Sequence, residues 1–432
     1  MKVLVIGGGG REHALVWALH RSPRVTTLRC APGNAGTAAI AENVAIPADD
    51  VDGLVAHAAG EKYDLVVVGP EGPLVAGIAD RLGELHIPVF GPSAAASRME
   101  GSKVFSKEFM ARHRIPTAAF QVFRDEAEAR EHLLSEDTVY PLVVKADGLA
   151  AGKGVILADT PREAVDAATG MLSGRDFGAA GRTIVVEEML TGTEASFFIL
   201  ADGDHVVELA TCQDYKRALD GDQGLNTGGM GTYSPSAFLD DATRRTVMDT
   251  IVAPTIAGMQ AEGAPYRGVL FIGIMLTDEG PQVLEYNCRF GDPETQVLLP
   301  RLDGDWLELL LASACGTLDQ VPVAWLDQAA VCVVMAAGGY PGSYGKGARI
   351  DGLDRADAGD GIIVFHAGTA LGEDGSVRTS GGRVLGVTAM GRDIPDARNR
   401  AYRAVAGIRW EGEQHRNDIG ADAAATLEEI RE

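Results

Sequence analysis

Cysteine, lysine and aromatic residues are all scarce in this chain of 432 residues. Its five cysteines, Cys30, Cys212, Cys288, Cys315 and Cys332, stand far apart and form no C-x-x-C pair. That spacing suggests neither a zinc knuckle nor a disulfide framework, and the thiols are expected to be buried and reduced. No run of about 18 apolar residues exists, so no membrane-spanning helix is expected. The opening MKVLVIGGGG is too short and glycine-rich for a secretory leader, and a cytoplasmic setting is expected. Positive charge is in deficit: 38 Lys and Arg against 61 Asp and Glu leave a net charge of −23. A field of that sign repels phosphate backbones, so a nucleic-acid partner is not expected. What is present is a globular composition. The chain is 46% hydrophobic and 23% charged, which excludes wholesale disorder. Its length suits roughly two to four domains. The 54 glycines show no period of three, which excludes collagen and points to turns and glycine loops.

Residues 1–100 alternate strand and helix signals. Short apolar runs at Val3–Ile6, Val25–Cys30, Leu65–Val68 and Pro88–Phe90 are separated by helical stretches at Ala14–Leu19 and Leu74–Leu85. This alternation predicts a doubly wound parallel sheet, with ligands at the carboxyl ends of its strands. Residues 101–120 read as a helix leading out. Residues 121–191 hold two strands around a glycine loop, a helix near Arg162–Leu172 and a strand at Thr183–Glu187. Residues 192–325 show strands at Ala195–Leu200 and Val206–Ala210, a glycine-rich loop, a helix near Thr243–Met259 and a hairpin. Residues 326–432 read as a last α+β unit. The fold class expected is therefore α/β and α+β multidomain.

Several segments carry chemistry. Gly7-Gly8-Gly9-Gly10-Arg11-Glu12-His13 follows a strand and opens a helix, where bare amides favour an anion, typically a phosphate. Glu12 stands where a dinucleotide fingerprint needs its third glycine, which argues against NAD. His13 is placed either to touch a ligand there or to lie on the helix surface. Lys145-Ala146-Asp147-Gly148-Leu149-Ala150-Ala151-Gly152-Lys153-Gly154-Val155 is a loop between two strand-like stretches. It is not a Walker A loop, since three residues separate Gly148 from Gly152 and Gly154 replaces Ser or Thr. Only eight of the basic residues are lysines, and two of them on one glycine loop suit a lid over a triphosphate. Glu187, Glu188 and Leu190, followed by Glu194, could form a hinge that holds a purine edge and a ribose.

Val283 to Phe290 alternates at period two. Glu285, Asn287 and Arg289 share one face; Leu284, Tyr286, Cys288 and Phe290 share the other. An acid and an amide in line suit Mg²⁺ held between protein oxygens and substrate phosphates. The arginine can clamp a carboxylate or acyl phosphate. A solvated strand face would carry the same residues. Asp214-Tyr215-Lys216-Arg217 mixes both charges, and Asn226-Thr227-Gly228-Gly229-Met230-Gly231 offers backbone amides as an anion nest.

Taken in order, GGREH at 9–13, PGN at 32–34, GPE at 69–71, GSK at 101–103, KADGLAAGKGV at 145–155, NTGGMG at 226–231, EYNCRFGDPET at 285–295, HAGT at 366–369 and TSGGRVL at 379–385 resemble the phosphoribosylamine–glycine ligases of the ATP-grasp superfamily. The resemblance spans the chain. It implies an N-terminal phosphoribosylamine domain (1–101), an ATP-grasp core (102–120 and 192–325), a lid (121–191) and a C-terminal domain (326–426). It implies a ligase that joins glycine to 5-phosphoribosylamine through glycyl phosphate, with ATP as co-substrate and Mg²⁺ or Mn²⁺ as cofactor. By the same resemblance, Lys103, Lys145, Gly148, Gly152 and Lys153 meet the ATP phosphates. Glu187 and Leu190 hold adenine through the backbone, and Glu194 holds the ribose. Glu285 and Asn287 take the metal. Arg289, Asp214, Thr227, Gly228 and Gly229 hold glycine and its acyl phosphate; Arg289, Lys145 and Asp214 are expected to be catalytic. Gly9, Gly10, Asn34 and Glu71 hold phosphoribosylamine. Leu225 and Tyr215 depart from the family pattern, where proline and histidine are common. A stand-alone, bacterial-type enzyme, monomeric or weakly dimeric, is expected. Other ATP-grasp ligases or carboxylases, a nicotinamide dehydrogenase and a non-catalytic nucleotide-binding protein remain as alternatives.

Overall fold

In the computed structural model, which describes residues 1–149, 154–356, 359 and 361–423, the first hundred residues build a five-stranded parallel sheet. Its strands run in the order Glu42–Asn43, Thr27–Pro32, Lys2–Gly7, Leu65–Val68 and Val89–Phe90. Val3 to Ile6 are fully buried, as a central strand covered on both faces requires. The expected helix at 74–85 is two short helices, Glu71–Val75 and Ile78–Glu84. Gly77 breaks it with φ +83°, a backbone state that glycine adopts without strain.

The segment from 120 to 188 forms a second, antiparallel sheet in the order Phe120–Phe123, Ile184–Glu188, Leu142–Ala146 and Val155–Ala158. Helix Pro161–Leu172 starts on a Thr160/Glu163 capping box with proline in its first turn. Helix Glu126–Leu133 packs beside it and was not foreseen, because only Ala129 and Leu133 of its charged sequence are buried. A third sheet holds Val206–Glu208, Thr193–Asp202, Arg267–Thr277 and Gly280–Asn287 in that order. The helix expected near 243–259 runs as Asp241–Val247 and Ala253–Ala261 around a π turn at Met248–Val252. Pro254 lacks the N–H that a regular α-turn needs at that point.

The last sheet has the path Gln213–Asp214, Gly231–Ser234, Ala329–Ala337, Arg383–Gly391 and Ile362–His366, with Glu413–Gln414 paired on Ala329–Ala337. Two of its strands thus come from the 192–325 stretch, so both ends of the loop at 215–230 are anchored in the last sheet. Helix Ile394–Val405 lies on this sheet. A Cβ at Gly391 would stand 2.3 Å from the Ala397 amide nitrogen, so glycine permits the close approach. Four of the five cysteines are buried, and Cys315 is exposed. No helix among the described residues is long and apolar enough to cross a membrane.

Candidate active site

Residues of the four sheets converge on the end of the strand Gly280–Asn287. Glu285 pairs with Gly273 of the neighbouring strand, which carries no side chain to cover it. The register shifts between Gly273 and Ile274, so Leu284 is the extra residue of a bulge. Tyr286, Cys288 and Phe290 are buried as the alternation predicts. Leu284 is only half-buried; the bulge turns its carbonyl toward the Lys145 ammonium, 3.4 Å away.

Glu285 is exposed to solvent. Burial of its surroundings pushes its carboxyl upward, but the Lys216, Lys103, Lys145 and Arg289 charges outweigh that and hold it below the ordinary range. Beside it, Asn287 is buried. Its Oδ1 accepts from Arg289 at 2.9 Å while its Nδ2 has no partner. One lone pair of Oδ1 remains for another ligand. Among the described residues, no group of three or more His, Cys, Asp or Glu is placed to hold a metal. Two protein oxygens with substrate phosphates completing the shell is the arrangement that suits Mg²⁺, so this pair fits such an ion.

Arg289 reaches across to the parallel-sheet domain. Its Nε donates to Glu71 at 3.3 Å, and its Nη2 pairs with Glu100 at 2.9 Å. Burial pushes the Glu71 carboxyl up, but Arg289 and Arg11 prevail and lower it. Asp214 lies near Lys216, Glu194, Glu285 and Glu294. Burial, with Glu194 and Glu285, raises its carboxyl despite Lys216. Lys216 pairs with Glu194 at 2.9 Å. Burial alone would lower its ammonium; Asp214, Glu194 and Glu285 hold it well above the usual value.

The second sheet meets the strand Gly280–Asn287 through Lys145. Lys145 and Lys107 converge on one oxygen of Glu187, at 2.9 and 2.8 Å. The other Glu187 oxygen is buried without a partner. Glu187 was expected to act through its backbone; here its side chain anchors two lysines. Burial lowers the Lys107 ammonium to about 8 despite Glu187. Leu190 lies just past the end of strand Ile184–Glu188, half-buried. The Lys103 amide donates to the Asp147 carbonyl, and Asp147 Oδ1 accepts from Ser102 and the Val104 amide. Asp147 thus ties down the start of helix Lys103–His113. The Gly148 amide donates to Ala180 at 3.4 Å. Gly152 and Lys153 lie outside the described residues.

The backbone amides expected to face substrate are largely engaged by the protein. Gly9 donates to Glu12 Oε2 at 2.6 Å, and Asn34 to Thr37 Oγ1 at 2.7 Å. The Asn34 side chain bridges Gly8, Gly9 and His366 carbonyls to the Gly36 and Thr37 amides. Gly10 faces Asp292 and Gln296, whose atoms would lie 3.3 and 2.5 Å from a Cβ there. Thr227 donates to the Lys216 carbonyl, Gly229 to Thr227 Oγ1 and Gly228 to the Tyr340 hydroxyl at 3.3 Å. The 226–231 loop is therefore a folded turn whose amides are taken by Lys216, Tyr215, Tyr340 and Thr227. His13 is neither exposed nor free: its Nδ1 accepts from the His366 amide at 2.8 Å.

Sequence reasoning missed Lys107, Glu100 and Arg383. Lys107 carried a signal, since it is one of only eight lysines. Arg383 comes from the last sheet and donates to the carbonyls of Gly228, Gly229 and Asp292. No local pattern marks a residue whose partners lie about 90 and 150 positions away.

Models of the phosphoribosylglycinamide synthetase family match the chain in three successive parts. These are the N domain at residues 1–100, the ATP-grasp (A) domain at 101–295 and the C domain at 330–422. A phosphoribosylamine–glycine ligase of Salmonella typhi is 51% identical over 423 residues, 97% of this chain and 98% of its own. The solved phosphoribosylamine–glycine ligase of Thermotoga maritima matches with a TM-score of 0.85 at 35% identity, over 97% of this chain and 100% of that one. The biotin carboxylase domain of a Hydrogenobacter thermophilus 2-oxoglutarate carboxylase gives a TM-score of 0.72 at 17% identity, over 96% and 91%. That last likeness is one of fold alone.

Proposed function

The chain belongs to the phosphoribosylglycinamide synthetase family, and from that premise we propose how its own residues carry the family's reaction. The chain is an ATP-dependent ligase that joins glycine to phosphoribosylamine to make glycinamide ribonucleotide in purine biosynthesis. The observation that carries this reading is the identity of half the residues along nearly the full length of such ligases. It acts with ATP and a divalent cation; we take the cation to be Mg²⁺, with Mn²⁺ able to replace it.

In this reading the Arg289 guanidinium receives the glycine carboxylate and presents one oxygen to the γ-phosphate of ATP. Lys103, Lys145 and Lys153 face the phosphates; Lys145 leaves Glu187 to do so. Glu285 and the free lone pair of Asn287 Oδ1 would hold the divalent cation, which supplies neutralisation of charge on the transferring phosphoryl group. Glycyl phosphate then forms, and the amine of phosphoribosylamine displaces phosphate from it. Positioning and fixed charge account for most of the acceleration. Residues 145–155, with Gly148 and Gly152, close over the site and keep water from the acyl phosphate. The backbone at Glu187 and Leu190 holds adenine, and Glu194 exchanges Lys216 for the ribose hydroxyls. Asp214 keeps Lys216 beside the acyl phosphate, and Thr227, Gly228 and Gly229 wall the glycine pocket. Phosphoribosylamine lies against Gly9, Gly10, Asn34 and Glu71. Residues 1–101 serve as its domain, 102–120 and 192–325 as the core, 121–191 as the lid and 326–426 as the C-terminal domain. We place the enzyme in the cytoplasm as a monomer or weak dimer.

The test is ADP release with MgATP and freshly generated phosphoribosylamine, with and without glycine. Strong glycine-dependent release is expected, absent when phosphoribosylamine is omitted and abolished in Glu285→Ala. Turnover indifferent to glycine would sink the substrate assignment. Near-normal turnover of Glu285→Ala would remove its metal role.

A further inference from the structure

Glu100 sits in the last turn of helix Ala94–Gly101, and its side chain is only 9% exposed. An acid at that place is unfavourable twice over. A helix C-terminus repels negative charge, and burial of a carboxylate is costly unless it is paired. Burial does push the Glu100 carboxyl above its ordinary range, with Arg289 opposing. Both oxygens are nevertheless engaged. Oε1 meets Arg289 Nη2 at 2.9 Å. Oε2 accepts from the Cys288 amide at 2.8 Å and the Cys288 thiol at 3.1 Å. One carboxylate therefore joins the backbone just past the catalytic strand to the guanidinium of the next residue.

Two other partners of Arg289 stand farther off. Glu71 meets Nε at 3.3 Å, and the Phe290 carbonyl meets Nη1 at 3.3 Å. The 2.9 Å bond from Nη2 to Asn287 Oδ1 joins Arg289 to the side chain beside Glu285. A guanidinium is planar, so fixing Nη2 fixes the plane and the direction of the remaining donors. Glu71, 30% exposed, is the partner an incoming anion can displace. Glu100 is the one that stays.

We infer that Glu100 is a positioning residue for the ligation, holding the Arg289 guanidinium in the plane that receives the substrate carboxylate. The inference rests on Arg289 being that receiver. Steady-state kinetics of Glu100→Gln, Glu100→Asp, Arg289→Lys and the Glu100→Gln/Arg289→Lys double variant test it. Glu100→Gln is expected to raise the glycine KM by about 10- to 100-fold, as loss of a residue that orients a binding group does, with the ATP KM within about twofold of normal. Glu100→Asp, which keeps the charge on a shorter arm, recovers part of the loss. The double variant is no worse than Arg289→Lys alone, because both act through one guanidinium. A merely structural Glu100 would shift both KM values alike and give additive losses; that result overturns the inference. A raised glycine KM in Arg289→Lys with a normal one in Glu100→Gln overturns it alone. A normal glycine KM in Arg289→Lys overturns the Arg289 reading and the inference with it. If Glu100→Gln does not fold, Glu100→Asp carries the same comparison.

Discussion

His13 and His366 meet where the first helix touches the last sheet, and both rings are kept neutral. Burial, with His366 adding to it, lowers His13 to about 3; burial lowers His366 to about 4. The unfolded chain takes these protons near pH 6.5 while the folded one refuses them. Their contribution is therefore complete above about pH 6.5 and is lost as the pH falls toward 4 and then 3. A tenfold difference in proton affinity between the folded and unfolded chain is worth about 1.4 kcal/mol, so each ring represents a few kcal/mol. The wild-type unfolding midpoint should drop steeply between pH 6.5 and 4. His13→Asn, whose side chain can accept but does not titrate in that range, should flatten the slope. An unchanged slope would show that other groups set the acid limit. The sequence placed His13 beside the glycine loop but could not say what it faces, since its partner lies 353 residues away.

The helix Gly10–His20 shows why an element can be foreseen while its chemistry is not. Strand, glycines and helix were legible from local pattern alone. The role of Glu12 was not. It departs from the dinucleotide fingerprint, and in the structure it fills the space two glycines leave: a Cβ at Gly69 would stand 2.1 Å from its Oε1, and one at Gly7 2.4 Å from its Cγ. The carboxylate caps Gly9 and pairs with Arg11 at 2.6 Å. Glu12→Ala should cost about 1 to 2 kcal/mol as a lost cap, and more because Arg11 is left buried without its partner. Denaturant unfolding measures that loss. A change below about 0.5 kcal/mol, the usual range for a neutral surface site, would mean the cap is dispensable. The strand bearing Glu285 and Asn287, with Arg289 just past its end, was read from period two. The bulge at Leu284 was invisible, because a shift of register depends on the facing strand.

At the scale of the whole molecule, Arg383 links the last sheet to the third. It holds the carbonyls of Gly228, Gly229 and Asp292 together, and so fixes the 226–231 turn against the residues that follow Arg289. Arg383→Ala should raise the glycine and phosphoribosylamine KM values by about tenfold or more while nucleotide binding, measured by calorimetry, stays near normal. Equal loss of nucleotide binding would place Arg383 in general stability instead.

The order of motifs, the alternation of strands and the face shared by Glu285, Asn287 and Arg289 followed from the sequence itself, because they rest on neighbours along the chain. Backbone periodicity and turn chemistry are local. Tertiary structure decided which charges meet. It put Lys107 and Lys145 on one oxygen of Glu187, Glu100 behind Arg289, and two strands of the 192–325 stretch into the last sheet. It also paired amides of the 226–231 loop with Tyr215, Lys216 and Tyr340. Each of these depends on residues remote in sequence brought together by packing, where low dielectric makes pairing obligatory for a buried charge.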